Sequence, residues 1–228
     1  MTDELDANLY SSCLFRGLPT RDRRELKDSM VIEVYPRRSM IFAEGSYSDR
    51  LQIVCAGQVK LTATSQAGRQ AMTALAGPGD VLELLPELAP GRRVQTATAA
   101  TAVTTASITY EELRGWWQRR PVILRELLRE LEAAVRMREQ VRLDYHHMDV
   151  PARIAKLLLG LAKRFGQPEA NTVLVTHHLT QTDMADLVCS VRESVNHAVT
   201  YFSERGWIMQ FRTGTLLSDV NALARRAR

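Results

Sequence analysis

Two sets of apolar residues at helical spacing lie between Leu179 and Trp207, in the stretch LTQTDMADLVCSVRESVNHAVTYFSERGW. Met184, Leu187 and Val188 form one face, and Val195, Val199 and Phe202 form a second at i, i+4 and i+7. Thr180 with Asp183 predicts an N-cap pair for the first helix. Ser190-Val191-Arg192-Glu193 fits the S-x-x-E capping box that would open the second. The second helix then turns Arg192, Glu193, Asn196, His197 and Thr200 outward. Two short helices about a tight turn, with an outward polar fork, predict a helix-turn-helix; an ordinary helix pair with a solvated face shows the same local pattern.

The sequence before it changes texture twice. Residues 1–28 predict one or two short helices, with LPTRDRRELKDS amphipathic. From Val31 to about Ile108, β-branched runs alternate with Gly45, Gly57, Gly68, Gly79 and Gly91, which fall eleven or twelve residues apart. Regular turn signals of this kind predict an antiparallel sandwich or roll. Its strands are expected at Val31–Tyr35, Met40–Ala43, Gln52–Cys55, Gln58–Thr64, Ala71–Ala76 and Thr96–Ile108. Tyr110–Arg119 reads as a short helix stopped by Pro121, and Val122–Tyr145 as one long helix. Leu124, Leu128, Leu131 and Val135 make a stripe on it, continued raggedly through Arg138, Val141 and Tyr145. Packing within one subunit explains such a stripe in part. A helix of this length spans about 36 Å, however, more than a small roll covers, so a coiled-coil dimer seam is the expectation.

His146-His147-Met148 reads as a hinge. Adjacent residues on a helix point apart and no third ligand is placed, so no metal site is expected. Asp149 and Pro151 predict the start of a helix to about Phe165, which Gly166 ends, and Asn171–Val175 reads as a short strand. After the helix pair, Trp207–Phe211 and Thr215–Leu217 flank Arg212-Thr213-Gly214 as a hairpin wing. The end of the sequence, Ala224-Arg225-Arg226-Ala227-Arg228, reads as a basic helix end.

Charge adds a partner to this picture. Residues 1–150 hold 20 Lys and Arg against 20 Asp and Glu, whereas 151–228 hold 10 against 6, so the whole net charge of +4 sits with the helix pair. A neutral sensor joined to a polyanion-binding module has this asymmetry. Cys13, Cys55 and Cys189 are scattered without a paired spacing and read as free thiols. No apolar run of 18 or more residues and no signal-peptide pattern at the start predict a cytoplasmic protein without membrane contact. No GxSxG, HExxH or Walker loop points to an enzyme.

Asp149-Val150-Pro151-Ala152-Arg153-Ile154-Ala155, Arg192-Glu193-Ser194-Val195 and Gly206-Trp207-Ile208 together resemble the cyclic-AMP receptor/FNR (Crp/Fnr) family of bacterial transcription regulators. The resemblance runs from about Leu14 to Leu217. It departs at Cys189, where the turn usually holds Gly, and at His197, where the family usually has Arg. It implies an α+β chain with a β-roll sensor over 1–120, a dimerisation helix and hinge over 121–148, and a winged helix-turn-helix over 149–228. The implied partners are double-stranded DNA, a second copy of the chain and RNA polymerase, with no cofactor required. Arg192 and Glu193 would be base readers, joined by Asn196 and His197, while Thr180, Ser190 and Arg212 would meet phosphates. Leu124, Leu128, Leu131 and Val135 would form the dimer interface.

The resemblance also tests the sensor. In cyclic-AMP-binding members a Glu meets the ribose, an Arg and a Ser the phosphate, and a Thr-Ser pair on the long helix the base. With a one-residue deletion near Val81–Leu82, Glu83 and Arg93 fall on the Glu and the Arg. Val94 takes the Ser position, Leu82 and Leu85 replace flanking glycines, and Arg138-Glu139 replaces Thr-Ser. Cyclic AMP is therefore a doubtful effector. The alternatives are a cyclic-AMP-responsive regulator with a degenerate pocket, a ligand-independent regulator, a stand-alone cyclic-nucleotide-binding module or an RNA-binding winged helix.

Overall fold

A computed structural model describes residues 2–82 and 91–228. They divide into two compact units, Met1–Arg136 and Met137–Arg228. The first begins with helix α1 (Thr2–Ser11), a single 3-10 turn at Cys13–Phe15 and α2 (Thr20–Asp28). Among the described residues eight strands follow: β1 (Val31–Tyr35), β2 (Met40–Phe42), β3 (Arg50–Ala56), β4 (Val59–Thr64), β5 (Gln70–Ala76), β6 (Val81–Leu82), β7 (Thr96–Ala99) and β8 (Val103–Thr109). They form two antiparallel four-stranded sheets, ordered β1-β8-β3-β6 and β2-β7-β4-β5. Helices α3 (Tyr110–Arg119) and α4 (Pro121–His147) close the unit, α3 opened by a capping box in which Thr109 and Glu112 exchange hydrogen bonds.

Alternation along β3 and β8 builds two cores from one sheet. Val54 and Val103 point between the sheets, with Phe42, Val59, Leu61 and Leu82. Leu51, Ile53, Ala106 and Ile108 point the other way, onto Leu14, Phe15, Leu26, Leu113 and Ile123 of the helical layer. Burial pushes the Cys13 thiol up to about 12 and the Cys55 thiol to about 11, while Cys189 is exposed.

Two expectations need correction. The run Thr96–Ile108 is not one strand but β7 and β8, which lie in different sheets. The chain corners at Ala100–Ala102 against the β3–β4 turn, where the Ala100 amide donates to the Gln58 carbonyl at 2.8 Å and the Gln58 amide to Thr101 Oγ1 at 2.9 Å. The other concerns the hinge: His146 and His147 are the last residues of α4, so only Met148 and Asp149 separate it from the next helix. Glu83 and Leu85 lie outside the described residues.

On α4, Leu128 and Val135 are about half exposed, at 50% and 48%, and Leu124 and Leu131 are partly covered. Part of an apolar face at this spacing is thus exposed at Leu128 and Val135. Glu126, by contrast, is buried beside Arg129 at 2.5 Å.

The second unit contains α5 (Val150–Phe165), β9 (Gly166–Glu169), β10 (Thr172–Thr176), α6 (Gln181–Leu187), α7 (Arg192–Glu204), β11 (Ile208–Gln210), β12 (Gly214–Leu217) and α8 (Val220–Arg226). Its antiparallel sheet runs β11-β12-β10-β9, so the predicted wing hairpin is present and β9, unmarked in the sequence, pairs with β10 at the far edge. None of the helices described is long and apolar enough to cross a membrane.

Gly57 makes the corner between the sheets possible. Its φ is +83°, and a Cβ there would stand 2.1 Å from the Ala102 carbonyl oxygen. Gly57→Ala should therefore destabilise the first unit by roughly 2–4 kcal/mol, combining left-handed strain with forced repacking. Denaturant unfolding of the variant checks this; an unchanged midpoint would show that the corner can move.

Candidate nucleic-acid interface

The helix-turn-helix is assembled from both of its sides. Thr180 and Asp183 cap α6 reciprocally: the Thr180 amide donates to Asp183 Oδ2 at 2.6 Å and the Asp183 amide to Thr180 Oγ1 at 3.1 Å. The Thr180 hydroxyl also donates to Asp183 Oδ2, at 2.7 Å. Met184 and Ala185 are buried, and Val188 ends the helix. The chain then reverses at Cys189, whose φ of +50° lies in the left-handed region that favours glycine.

The expected capping box at Ser190 is not formed. The N-cap of α7 is Val191, with no side-chain cap, because the turn at Cys189 delays the helix to Arg192 and puts Ser190 one residue too early. Val195, Ala198, Val199 and Phe202 are buried, which aims Arg192, Glu193, Asn196, His197 and Thr200 at solvent.

A side chain from α5 holds the turn. Arg153 Nη1 donates to the carbonyls of Val188 and of Cys189, the latter at 3.0 Å, and so caps the C-terminal end of α6. Its guanidinium also lies over the Tyr145 ring, 5.2 Å from the centroid. Lys156 joins the same end of α4 through Asp144 at 2.6 Å. At the start of α5, Asp149 accepts from the Ala152 amide at 2.9 Å and pairs with Arg226 of α8.

The wing is tied in by a buried histidine. His177 Nδ1 accepts from the Leu179 amide at 3.0 Å, which leaves Nε2 to face Thr215 Oγ1 at 3.1 Å. The amides of His177 and His178 both donate to the Thr213 carbonyl. Trp207 stacks on Phe202 at 5.5 Å and so fixes the wing to the end of α7. Arg212, at the wing tip, is exposed.

The geometry brings the proposed base readers onto one helical face and distinguishes their neighbours. His197 borders a shallow groove of about 500 Å³ with Asp149, Pro151, Ser194 and Tyr201, whereas Asn196 faces α6 and accepts from Gln181 Nε2 at 3.0 Å. In the roll, Arg93 is buried, stacked 3.8 Å over the Phe42 ring, with Nη2 donating to the Arg50 carbonyl at 3.4 Å. Val94 is 64% exposed, Leu82 is fully buried between the sheets, and Arg138 and Glu139 are exposed on α4. Sequence reasoning did not single out Arg153, His177 or Gln181. Each acts across 15 or more residues except for the local His177–Leu179 bond, and periodicity carries no sign of that.

A β-roll joined through a long helix to a winged helix-turn-helix defines a sensor-regulated DNA-binding protein. Comparison with known proteins agrees. Residues 32–120 match the cyclic nucleotide-binding domain and residues 152–226 the Crp-like helix-turn-helix domain. The CRP-like cAMP-activated global transcriptional regulator of Mycobacterium tuberculosis is 38% identical over 98% of this chain and 100% of that protein. The global nitrogen regulator of a Nostoc species is 26% identical, over 78% of this chain and 81% of its own. Among solved structures, FixK2 from Bradyrhizobium japonicum superposes with a TM-score of 0.74 at 20% identity, covering 87% of this chain and 98% of that one. The regulator CLP of Xanthomonas campestris gives 0.72 at 19%, covering 87% and 99%. The chain belongs to the Crp/Fnr family and is a transcription regulator of that type.

The Asp149–Arg226 pair makes an acid-side prediction. The Arg226 hydrogen bond holds the Asp149 carboxyl below the usual carboxylate range, against a smaller opposing effect of burial. A lowered folded value means that the pair stabilises fully above pH about 4 and loses its contribution as pH falls through the folded value. Asp149 is 60% exposed, so the effect is below about 1 kcal/mol. Asp149→Asn, which can still cap Ala152, should lower the urea midpoint slightly at pH 7 and converge with wild type in acid.

Proposed function

We propose that the protein is a cytoplasmic homodimer that binds a palindromic DNA site and acts with RNA polymerase rather than as an enzyme. Its working segments are a sensor roll at 1–120, a dimerisation helix and hinge at 121–148 and a DNA reader at 149–228. The observation that carries this is the exposed fork of α7 beside the exposed Arg212, in the half of the chain that holds all the excess positive charge. Arg192 offers guanine O6 and N7 a planar pair of donors, and Glu193 accepts from a cytosine amine. Asn196 and His197 read the neighbouring bases. Ser190 and Arg212 meet phosphates; Thr180 does so by exchanging its bond to Asp183.

Dimerisation is supported by the stripe Leu124, Leu128, Leu131 and Val135, of which Leu128 and Val135 are exposed and Leu124 and Leu131 partly covered. A two-fold seam along α4 would bury it and set two recognition helices about 34 Å apart, one turn of DNA.

For the sensor, we infer that cyclic AMP is not a strong effector. A buried cyclic phosphate needs a guanidinium and further donors. Arg93 is already packed on Phe42 and Val94 has no hydroxyl. Leu82 fills the inter-sheet core where a glycine would admit the nucleotide backbone contact. The mycobacterial relative, described as cAMP-activated, favours the second reading, a cyclic-AMP-responsive regulator with an altered pocket.

Three measurements test these statements. Arg192→Ala should weaken binding to a specific site by roughly 1–3 kcal/mol and relax preference at one G·C pair, while Arg212→Ala should weaken all sequences alike. Unchanged preference in Arg192→Ala would overturn the recognition-helix assignment. Leu131→Glu should give a monomer by light scattering that no longer holds a palindromic site. Calorimetric titration with cyclic AMP should show no micromolar binding; micromolar binding coupled to a tenfold gain in DNA affinity would establish the second reading.

A further inference from the structure

Gln181 is the first residue of α6 and Asn196 the fifth of α7, and the two amides meet at 3.0 Å with Gln181 Nε2 donating to Asn196 Oδ1. This hydrogen bond joins the two helices of the helix-turn-helix on their outward side. Asn196 is exposed next to Arg192 and Glu193. Its consequence is chemical. An asparagine with both amide atoms available offers adenine a matched pair, accepting from N6 and donating to N7. An asparagine whose oxygen already accepts from a neighbour has its amide plane held in one orientation, with one lone pair of Oδ1 taken and both Nδ2 hydrogens still to offer.

We infer that Gln181 is a specificity-determining residue. By engaging Asn196 Oδ1 it biases Asn196 toward donation through Nδ2, favouring the keto edges of guanine (O6) or thymine (O4) in the major groove over the amino edges of adenine and cytosine. The inference rests on the proposed reading of α7 as the recognition helix and sharpens it. In water the exposed amide pair competes with solvent; docking against DNA displaces that water and strengthens the bond when the choice between bases is made. Gln181 is a positioning residue here, acting on the base through Asn196.

The test is binding of the full-length chain to duplexes in which each half-site pair is varied in turn, by shift assay at fixed salt. Wild type should prefer G or T at one position, and Asn196→Ala should erase that preference. Gln181→Ala should move the same position toward adenine by on the order of tenfold, since the released Oδ1 completes the matched pair. The double variant should behave as Asn196→Ala. Gln181→Glu keeps the reach of the side chain but can only accept, so it should turn the Asn196 amide over and favour the amino edges of adenine or cytosine. Circular dichroism verifies that each variant is folded.

A uniform loss on every sequence for both Gln181 variants would assign Gln181 to phosphate contact or to packing and overturn the inference. So would a wild-type preference for A or C at the Asn196 position. If Arg192→Ala and Asn196→Ala leave every preference unchanged, the recognition-helix reading itself fails, an outcome separate from failure of the Gln181 arms alone.

Discussion

The DNA-reading unit depends on one guanidinium. The end of α6 exposes carbonyls that the helix cannot satisfy, and the turn that follows carries a non-glycine residue, Cys189, in the left-handed region. Arg153 answers both requirements from another helix, placing Nη1 against the Val188 and Cys189 carbonyls. Each hydrogen bond from a charged donor contributes about 1.5–3 kcal/mol, enough to outweigh the 1–2 kcal/mol or so that a left-handed residue costs. The angle between α6 and α7 thus follows from α5. Because Arg153 also lies over Tyr145, the same side chain connects the last turns of α4 to the reader's turn.

The parts of the structure that were legible in the sequence are those set by near neighbours. The strand Val31–Tyr35, the helix Tyr110–Arg119, the Thr180–Asp183 cap, the Asp149 cap and the wing all follow from spacing within a few residues. Two misread elements fail for different physical reasons, one distant in the chain and one local. The Thr96–Ile108 run is divided because Gly57 and Gln58, more than forty residues earlier, take up its backbone at the corner. Ser190 fits a capping box by sequence, yet the backbone at Cys189 moves the helix start beyond its reach. Of the candidate site, the outward face of α7 was readable from its period. The amide pair Gln181–Asn196 and the His177 clasp were not, since both are contacts across the fold.

In the roll, Arg93 is engaged by an aromatic face and a carbonyl. Its own backbone also pairs with Gly45 and Ser46. A phosphate that drew the guanidinium off the Phe42 ring would forfeit a cation–π contact worth about 0.5–2 kcal/mol. The inter-sheet core beside it is filled by Leu82, Phe42 and Val103. Neutral or apolar ligands face no such opposition.

The cysteines, finally, differ in what a reagent can reach. Cys13 and Cys55 are sealed in the helical layer with thiols that resist ionisation, while Cys189 stands exposed at the bend between α6 and α7. An electrophile added to the folded protein therefore meets one sulfur before the others. A fluorophore or spin label carried there sits between the two helices of the reader, without any engineered residue. The native chain in effect arrives with a reporter position built into the turn of the helix-turn-helix.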